Sequence, residues 1–247
     1  MRLYRIALST ILAIHIGIFC HAQQATDTSF IATASANAVK KYSEFIQGQT
    51  GLYSGTEYKT PDRTNEQHPF FGEFDWQEGE VFYNGEFYDN ITLLYDLTSD
   101  NVIIEHYYNG QEIMLIKAKV EKFRILENHF VNLNGSSLLP GLSDPGFYRL
   151  VYDGPTRLLA RHKKQIEEKI ETNRVEVYFT PRTRYFVLKD GAYTRVSKKK
   201  DFFRLFPDQK QALRSFLAEK KIRITKKNPE ALALLAEHFD SINTPHK

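Results

Sequence analysis

The sequence predicts an α+β fold: an antiparallel β-meander, barrel- or sandwich-like, with an N-terminal helix before it and two to three C-terminal helices after it. Three observations predict this. Asn84-Gly85, Asn109-Gly110, Asp153-Gly154 and Asp190-Gly191 each sit between short aromatic and β-branched runs, and such pairs supply the positive φ that a two-residue hairpin turn requires. No helical segment separates most of these runs, which argues against a parallel βαβ plan. After Val196 the apolar spacing lengthens from two residues to three or four, the helical period.

Taken in order, residues 1–22 read as a secretory signal peptide. Arg2 and Arg5 provide a positive start, Ile6 to Cys20 form a mostly apolar run, and Cys20-His21-Ala22 places small side chains at −3 and −1 before Gln23. Fifteen helical residues reach about 22 Å, short of a hydrocarbon core of about 30 Å, so a permanent span is disfavoured. Lipidation of Cys20 is the alternative, opposed by the bulky Phe19 before it. Cleavage after Ala22 leaves no cysteine, which excludes a disulfide framework and any thiolate metal site.

Residues 23–196 then form the helix plus the β domain. The alanines from Ala32 to Ala38, followed by Val39, Tyr42 and Ile46, predict a helix over 30–46. Gly48 and Gly51 close it, and a turn-rich extended stretch follows through Pro61 and Pro69. Strand character begins at Phe70. Asn134-Gly135 opens a longer loop, rich in Ser, Pro and Gly up to Gly146. The charged stretch 161–174 is compatible with a long hairpin or a short exposed helix.

Residues 197–247 form the helical segment. Ser197 is read as the N-cap of a helix carrying Phe202, Phe203, Leu205 and Phe206, and Pro207 interrupts it. A second helix runs to about Lys220 with Leu213, Phe216 and Leu217 inward. Asn228-Pro229-Glu230 marks a third start, with Leu232, Leu235, Phe239 and Ile242 on one face. The helices are expected to pack on the sheet through Leu213, Phe216, Leu232, Leu235 and Phe239, covering an edge or face.

The chain of 247 residues carries a net charge of +3. Residues 23–150 hold 9 Lys/Arg and 18 Asp/Glu, while residues 151–247 hold 22 and 12. The simplest expectation is that the two segments fold together and pair their charges; an electrostatic dipole used for docking is the alternative. No Walker loop, dinucleotide fingerprint, His-Glu-x-x-His or Gly-x-Ser-x-Gly motif occurs. No cofactor, metal or catalytic residue is therefore assigned. His106 and His129 lie on candidate strands and meet only if the sheet brings them together. Glu73 and Asp75 alternate with Phe74 and Trp76 on a candidate strand, and a carboxylate-dependent hydrolase would draw on the acids between Glu73 and Asp96. Lys198–Lys200 and Lys220–Lys227 form basic clusters that suit anionic lipid head groups or lipopolysaccharide phosphates, or simply a solvated helical surface.

Several stretches occur together: Gly51 to Tyr58 (GLYSGTEY), His68 to Phe71 (HPFF), Tyr83 to Asn90 (YNGEFYDN), Leu94 to Asp96 (LYD) and Ser197 to Pro207 (SKKKDFFRLFP). In this order they resemble a family of exported, uncharacterised proteins from Gram-negative bacteria. The resemblance implies export and a single architecture and transfers no catalytic residue.

The expected function is that of an exported, non-enzymatic binding or scaffolding protein of the periplasm or cell surface, holding an apolar small molecule or meeting a cell-envelope protein. Nucleic acid is a poor partner for an exported chain, and no transmembrane span remains after cleavage. Trp76, Tyr83, Tyr88 and Tyr107 are the aromatic candidates for ligand contact.

Overall fold

The computed structural model describes residues 33–38, 51–61, 66–171, 174–225 and 230–243. It divides into two compact units, residues 1–51 and 52–247. In the first unit residues 33–38 are helical (α1) and exposed. The rest of the expected 30–46 helix and the whole signal segment lie outside the described residues.

The second unit contains eleven strands: β1 (Thr56–Glu57), β2 (Gln77–Tyr83), β3 (Glu86–Asp96), β4 (Asn101–Glu105), β5 (Glu112–Met114), β6 (Val120–Ile125), β7 (Asn128–Leu133), β8 (Gly146–Tyr152), β9 (Leu158–Glu171), β10 (Arg174–Lys189) and β11 (Ala192–Val196). Every pairing is antiparallel, in the order β1-β5-β4-β3-β2-β6-β7-β8-β9-β10-β11. Two meanders therefore meet where β6 returns to lie beside β2. The ladder does not close, and β1 and β11 form its edges.

Asn84-Gly85 and Asp190-Gly191 form two-residue turns with φ of 54° and 84°, and 50° and 76°. Three expectations need correction. The Asn109-Gly110 strands are shorter than their apolar pattern, because residues 106–111 form a loop in which Tyr53, His106 and Tyr107 pack their rings 4.4–5.6 Å apart. Asp153-Gly154 lies in a five-residue connection, where the Thr156 amide donates to the buried Asp240 carboxylate at 3.0 Å. Residues 72–75 are not strand, so Glu73 and Asp75 do not alternate on a sheet face. The open choice at 161–174 resolves as a long hairpin, the continuous ladder of β9 and β10.

Strands β9 and β10 bury both faces only around Leu158–Ala160 and Tyr185–Val187, where their apolar residues run without alternation. Leu158, Ala160, Tyr185 and Val187 point into a core shared with the C-terminal helices. Leu159 and Phe186 point the other way, joining Tyr148, Tyr193 and Leu142. Val81, Leu93 and Tyr95 of the first meander pack with Phe123, Phe130 and Phe147 of β6–β8 into the largest core. There Phe123 and Phe130 stack at 4.7 Å.

The helices are α2 (Lys199–Leu205), α3 (Lys210–Glu219) and α4 (Ala231–Asn243). Leu213, Phe216, Leu232, Leu235 and Phe239 pack with the sheet as the pattern predicts, whereas Ile242 is exposed. The cap of α2 differs from expectation. Asp201 reaches back to accept from the Ser197 and Lys198 amides at 2.9 and 3.0 Å, because a carboxylate in the first turn satisfies free donors and complements the positive helix end. At the other end, Lys189 Nζ donates to the Leu205 carbonyl at 2.7 Å.

Candidate functional site

The structure does not bring the four aromatic candidates onto one surface. Tyr83 is fully buried and Tyr88 nearly so, both in the main core. Trp76 is partly buried against Phe70, Leu94 and Ile103 in a separate cluster. Tyr107 is half-exposed on the 106–111 loop. His106 packs in that loop, while His129 sits opposite Arg124 on β7, so the two do not meet. Among the described residues no group of three or more His, Cys, Asp or Glu side chains is arranged to hold a metal.

The acids of the first meander are dispersed. Glu73, Asp75 and Glu78 are exposed. Glu86 accepts from the Tyr88 hydroxyl at 2.7 Å. Glu80 and Asp153 both line a groove of about 440 Å³ on the sheet, yet each is already paired, with Arg124 and Arg157 respectively. The hydrogen bond from Arg124 holds the Glu80 carboxyl below its ordinary value.

Inside the fold lies one concentrated charge network. Arg161 on β9 forks onto Asp100, with Nη1–Oδ1 at 2.6 Å and Nη2–Oδ2 at 2.8 Å, and donates to the Phe147 carbonyl at 2.8 Å. The Tyr95 hydroxyl donates to Asp100 at 2.6 Å, and Lys117 completes the shell. The Arg161 side chain is 2% exposed and that of Asp100 9%. Gly146 lies against this pair with φ of 140°, where any Cβ would collide with both side chains. This centre ties the β3–β4 turn to β9.

A different arrangement lies on the helical layer. Lys199, Lys200, Phe203, Arg204 and Pro207 from α2 and its exit face Lys210, Arg214, Leu217, Ala218 and Ile222 across a groove of about 720 Å³, within the usual range of small-molecule sites. On α3 the spacing Lys210, Arg214, Leu217, Ala218 is one helical stripe. Leu213 and Phe216 turn further inward, into a core whose outer margin Phe203, Leu217 and Ile222 also form. Phe203 and Leu217 form a recessed floor, each 7% exposed, and the five cations around it are exposed. Arg214 lies over the Phe203 ring at 5.7 Å, a cation–π contact that holds the guanidinium at the rim. Arg204 lies 3.7 Å from Asp201. Among the described residues lining the groove, none is acidic.

Ile222 reaches the groove through the end of α3. Lys221 adopts φ of 54°, the Ile222 amide donates to the Leu217 carbonyl at 2.9 Å, and the Lys221 amide donates to Ala218 at 3.2 Å. This paired pattern folds the chain back over the last helical turn and commonly sets an apolar contact between those two positions.

Comparison with family models, curated proteins and solved structures finds no match. The groove therefore stands on its own chemistry. Lys199 and Lys200 belong to the basic cluster that the sequence marks, and they fall at its rim. The apolar half of the site was missed, because Phe203 and Leu217 read as ordinary core positions and the left-handed residue that returns Ile222 is Lys221 rather than glycine.

Proposed function

We propose that the chain is an exported, non-enzymatic binding protein of the periplasm or cell surface, and that the groove between α2 and α3 is its site for an apolar ligand. One observation carries this reading: Phe203, Leu217 and Ile222 form an apolar floor that opens to solvent through a rim of cations. Apolar surface recessed in a groove of this size gains by covering itself with a ligand's hydrocarbon. Export rests on Arg2, Arg5 and the apolar run to Cys20.

A carboxylate-dependent hydrolase is less well supported. The general acid of such an enzyme needs a raised pKa, and the Glu80 carboxyl is held low by Arg124.

The reading is tested with N-phenyl-1-naphthylamine, whose fluorescence rises in apolar surroundings. The full chain should enhance its emission, and dodecanoate should displace it. Ala218→Trp, an exposed helical position at the groove wall, should fill the space and abolish the enhancement with Tm nearly unchanged. Full enhancement in that variant would place the probe elsewhere and reject the groove as the site.

A further inference from the structure

We infer that the occupant of the groove is a single-chain amphiphile with an anionic head, its hydrocarbon on Phe203, Leu217 and Ile222 and its carboxylate or phosphate among Lys199, Lys200, Lys210 and Arg214; this rests on the ligand-binding reading above.

The charge of the rim carries the argument. Five cations line the groove with no carboxylate among the described lining residues, and the Asp201 contact at 3.7 Å reaches Arg204 alone among them. Like charges lining one groove repel one another, and water and salt screen the repulsion only in part. An anion placed between them removes it and forms charge-assisted hydrogen bonds with ammonium and guanidinium groups. The wider chain supports the same polarity, since residues 151–247 hold 22 Lys/Arg against 12 Asp/Glu. Part of that excess is absorbed inside the fold, as at Arg161 with Asp100, whereas the excess at α2 and α3 faces solvent.

The depth of the floor selects a molecule that enters the groove over a flat membrane surface. A helix pair that rests on a bilayer presents its apolar side chains outermost, with cations at the flanks. Here the order is reversed: Phe203 and Leu217 are recessed, and the exposed cations stand above them. A planar lipid surface would meet the ammonium groups first. A single hydrocarbon chain can pass between them while its anionic head stays at the rim.

The test uses the full mature chain and a set of ligands with one hydrocarbon chain length, each below its micellar concentration. These are dodecanoate, dodecyl phosphate, the neutral glyceride monolaurin, and dodecyltrimethylammonium. At low salt an anionic ligand should bind about tenfold or more tightly than the neutral glyceride, a preference of about 1.4 kcal/mol. The cationic ligand should bind weakest. The preference should shrink at 1 M salt, where the screening length falls to about 3 Å, and should collapse to about twofold in the Lys200→Gln/Lys210→Gln double variant. Which of dodecanoate and dodecyl phosphate binds more tightly distinguishes a fatty-acid from a phosphate head. Equal affinity for the neutral and anionic ligands would overturn the head-group inference while leaving the binding reading in place. Binding of none of the four would overturn both. Co-flotation with anionic vesicles without binding of any soluble dodecyl ligand would replace the inference with membrane-surface docking.

Discussion

Arg161→Met should lower the stability of the folded chain by roughly 3–5 kcal/mol, because it leaves the Asp100 carboxylate buried without its main partner. Methionine fills much of the arginine volume, so the loss reports charge and hydrogen bonds more than a cavity. Urea unfolding should show a lower midpoint with an unchanged slope. Adding Asp100→Asn should recover much of the loss. Asparagine keeps the shape and tolerates the φ of 60° at this position, and it removes the stranded charge. An unfolding free energy within about 0.5 kcal/mol of the parent for Arg161→Met alone would mean that the pair contributes little.

The same region sets the response to acid. Burial opposes ionisation of Asp100, but Arg161, Lys117 and Tyr95 outweigh it, and the carboxyl is held below its ordinary value. A depressed carboxyl pKa contributes stability above the unfolded value of about 3.9, and that contribution is lost as pH falls through the lower folded value. His162 acts in a higher window. Burial, with Arg149 and Arg161 adding positive charge nearby, lowers its pKa from 6.5 to about 3. Its ring packs at 5.2 Å from Phe71, and Nδ1 lies 3.0 Å from the Thr183 hydroxyl. Between those values the unfolded chain takes up a proton that the folded chain refuses, so stability falls as pH drops from about 6.5 toward 3. His162→Gln should flatten that upper part of the profile and leave the Asp100 part in place.

Gly141→Ala is the second large effect, about 3 kcal/mol or more. Gly141 has φ of 89°, and a Cβ there would overlap the backbone carbonyl of Tyr193. The obstacle is backbone, so no side-chain rotation relieves it. The adjacent Pro140 carbonyl accepts from the Tyr193 amide at 2.7 Å, and Leu142 and Tyr193 share a small core with Tyr148, Leu159 and Phe186. Displacing this loop should therefore expose β11 and the outer face of β8–β10. Hydrogen exchange should accelerate at residues 185–196 while β2–β7 stay protected. Uniform loss of protection across all strands would show that the loop and β11 do not open as a local unit.

Much of this architecture was legible in the sequence because local chemistry and tertiary structure agree. Asn84-Gly85 and Asp190-Gly191 are two-residue turns because their left-handed φ values suit the hairpin directly; the Asn84 amide still donates to the Lys119 carbonyl at 2.8 Å without disturbing the turn. At Asp153-Gly154 the Thr156 amide is drawn to Asp240 on α4, 84 residues away, and no local pattern carries that information. The β6–β7 turn went unmarked because Leu126 supplies its positive φ, with its amide held by the Glu78 carbonyl at 3.2 Å and its own carbonyl by Arg124 at 2.8 Å. Stretch 161–174 was ambiguous because Ile166 and Ile170 are four residues apart, a helical spacing. In the structure both lie on one face of a ribbon with little else against it and remain exposed.

The groove between α2 and α3 shows the same division. The Lys198–Lys200 cluster is visible as charge alone. Trp76, Tyr83, Tyr88 and Tyr107 satisfy strand preference as well as ligand contact, and alternation along β2 and β3 sends Tyr83 and Tyr88 inward. The convergence of α2, α3 and Ile222 depends on how two helices dock on the sheet and on a left-handed lysine, neither of which the sequence declares.

Where a hydrocarbon chain binds decides between the helical groove and the sheet. A dodecanoate analogue bearing a terminal diazirine, mixed with the full chain and photolysed, reports this directly by peptide mass spectrometry. Adducts confined to residues 203–222, and lost in Ala218→Trp, are the predicted result. Adducts on the sheet groove around Phe82, Phe87 and Leu150, unaffected by Ala218→Trp, would contradict it.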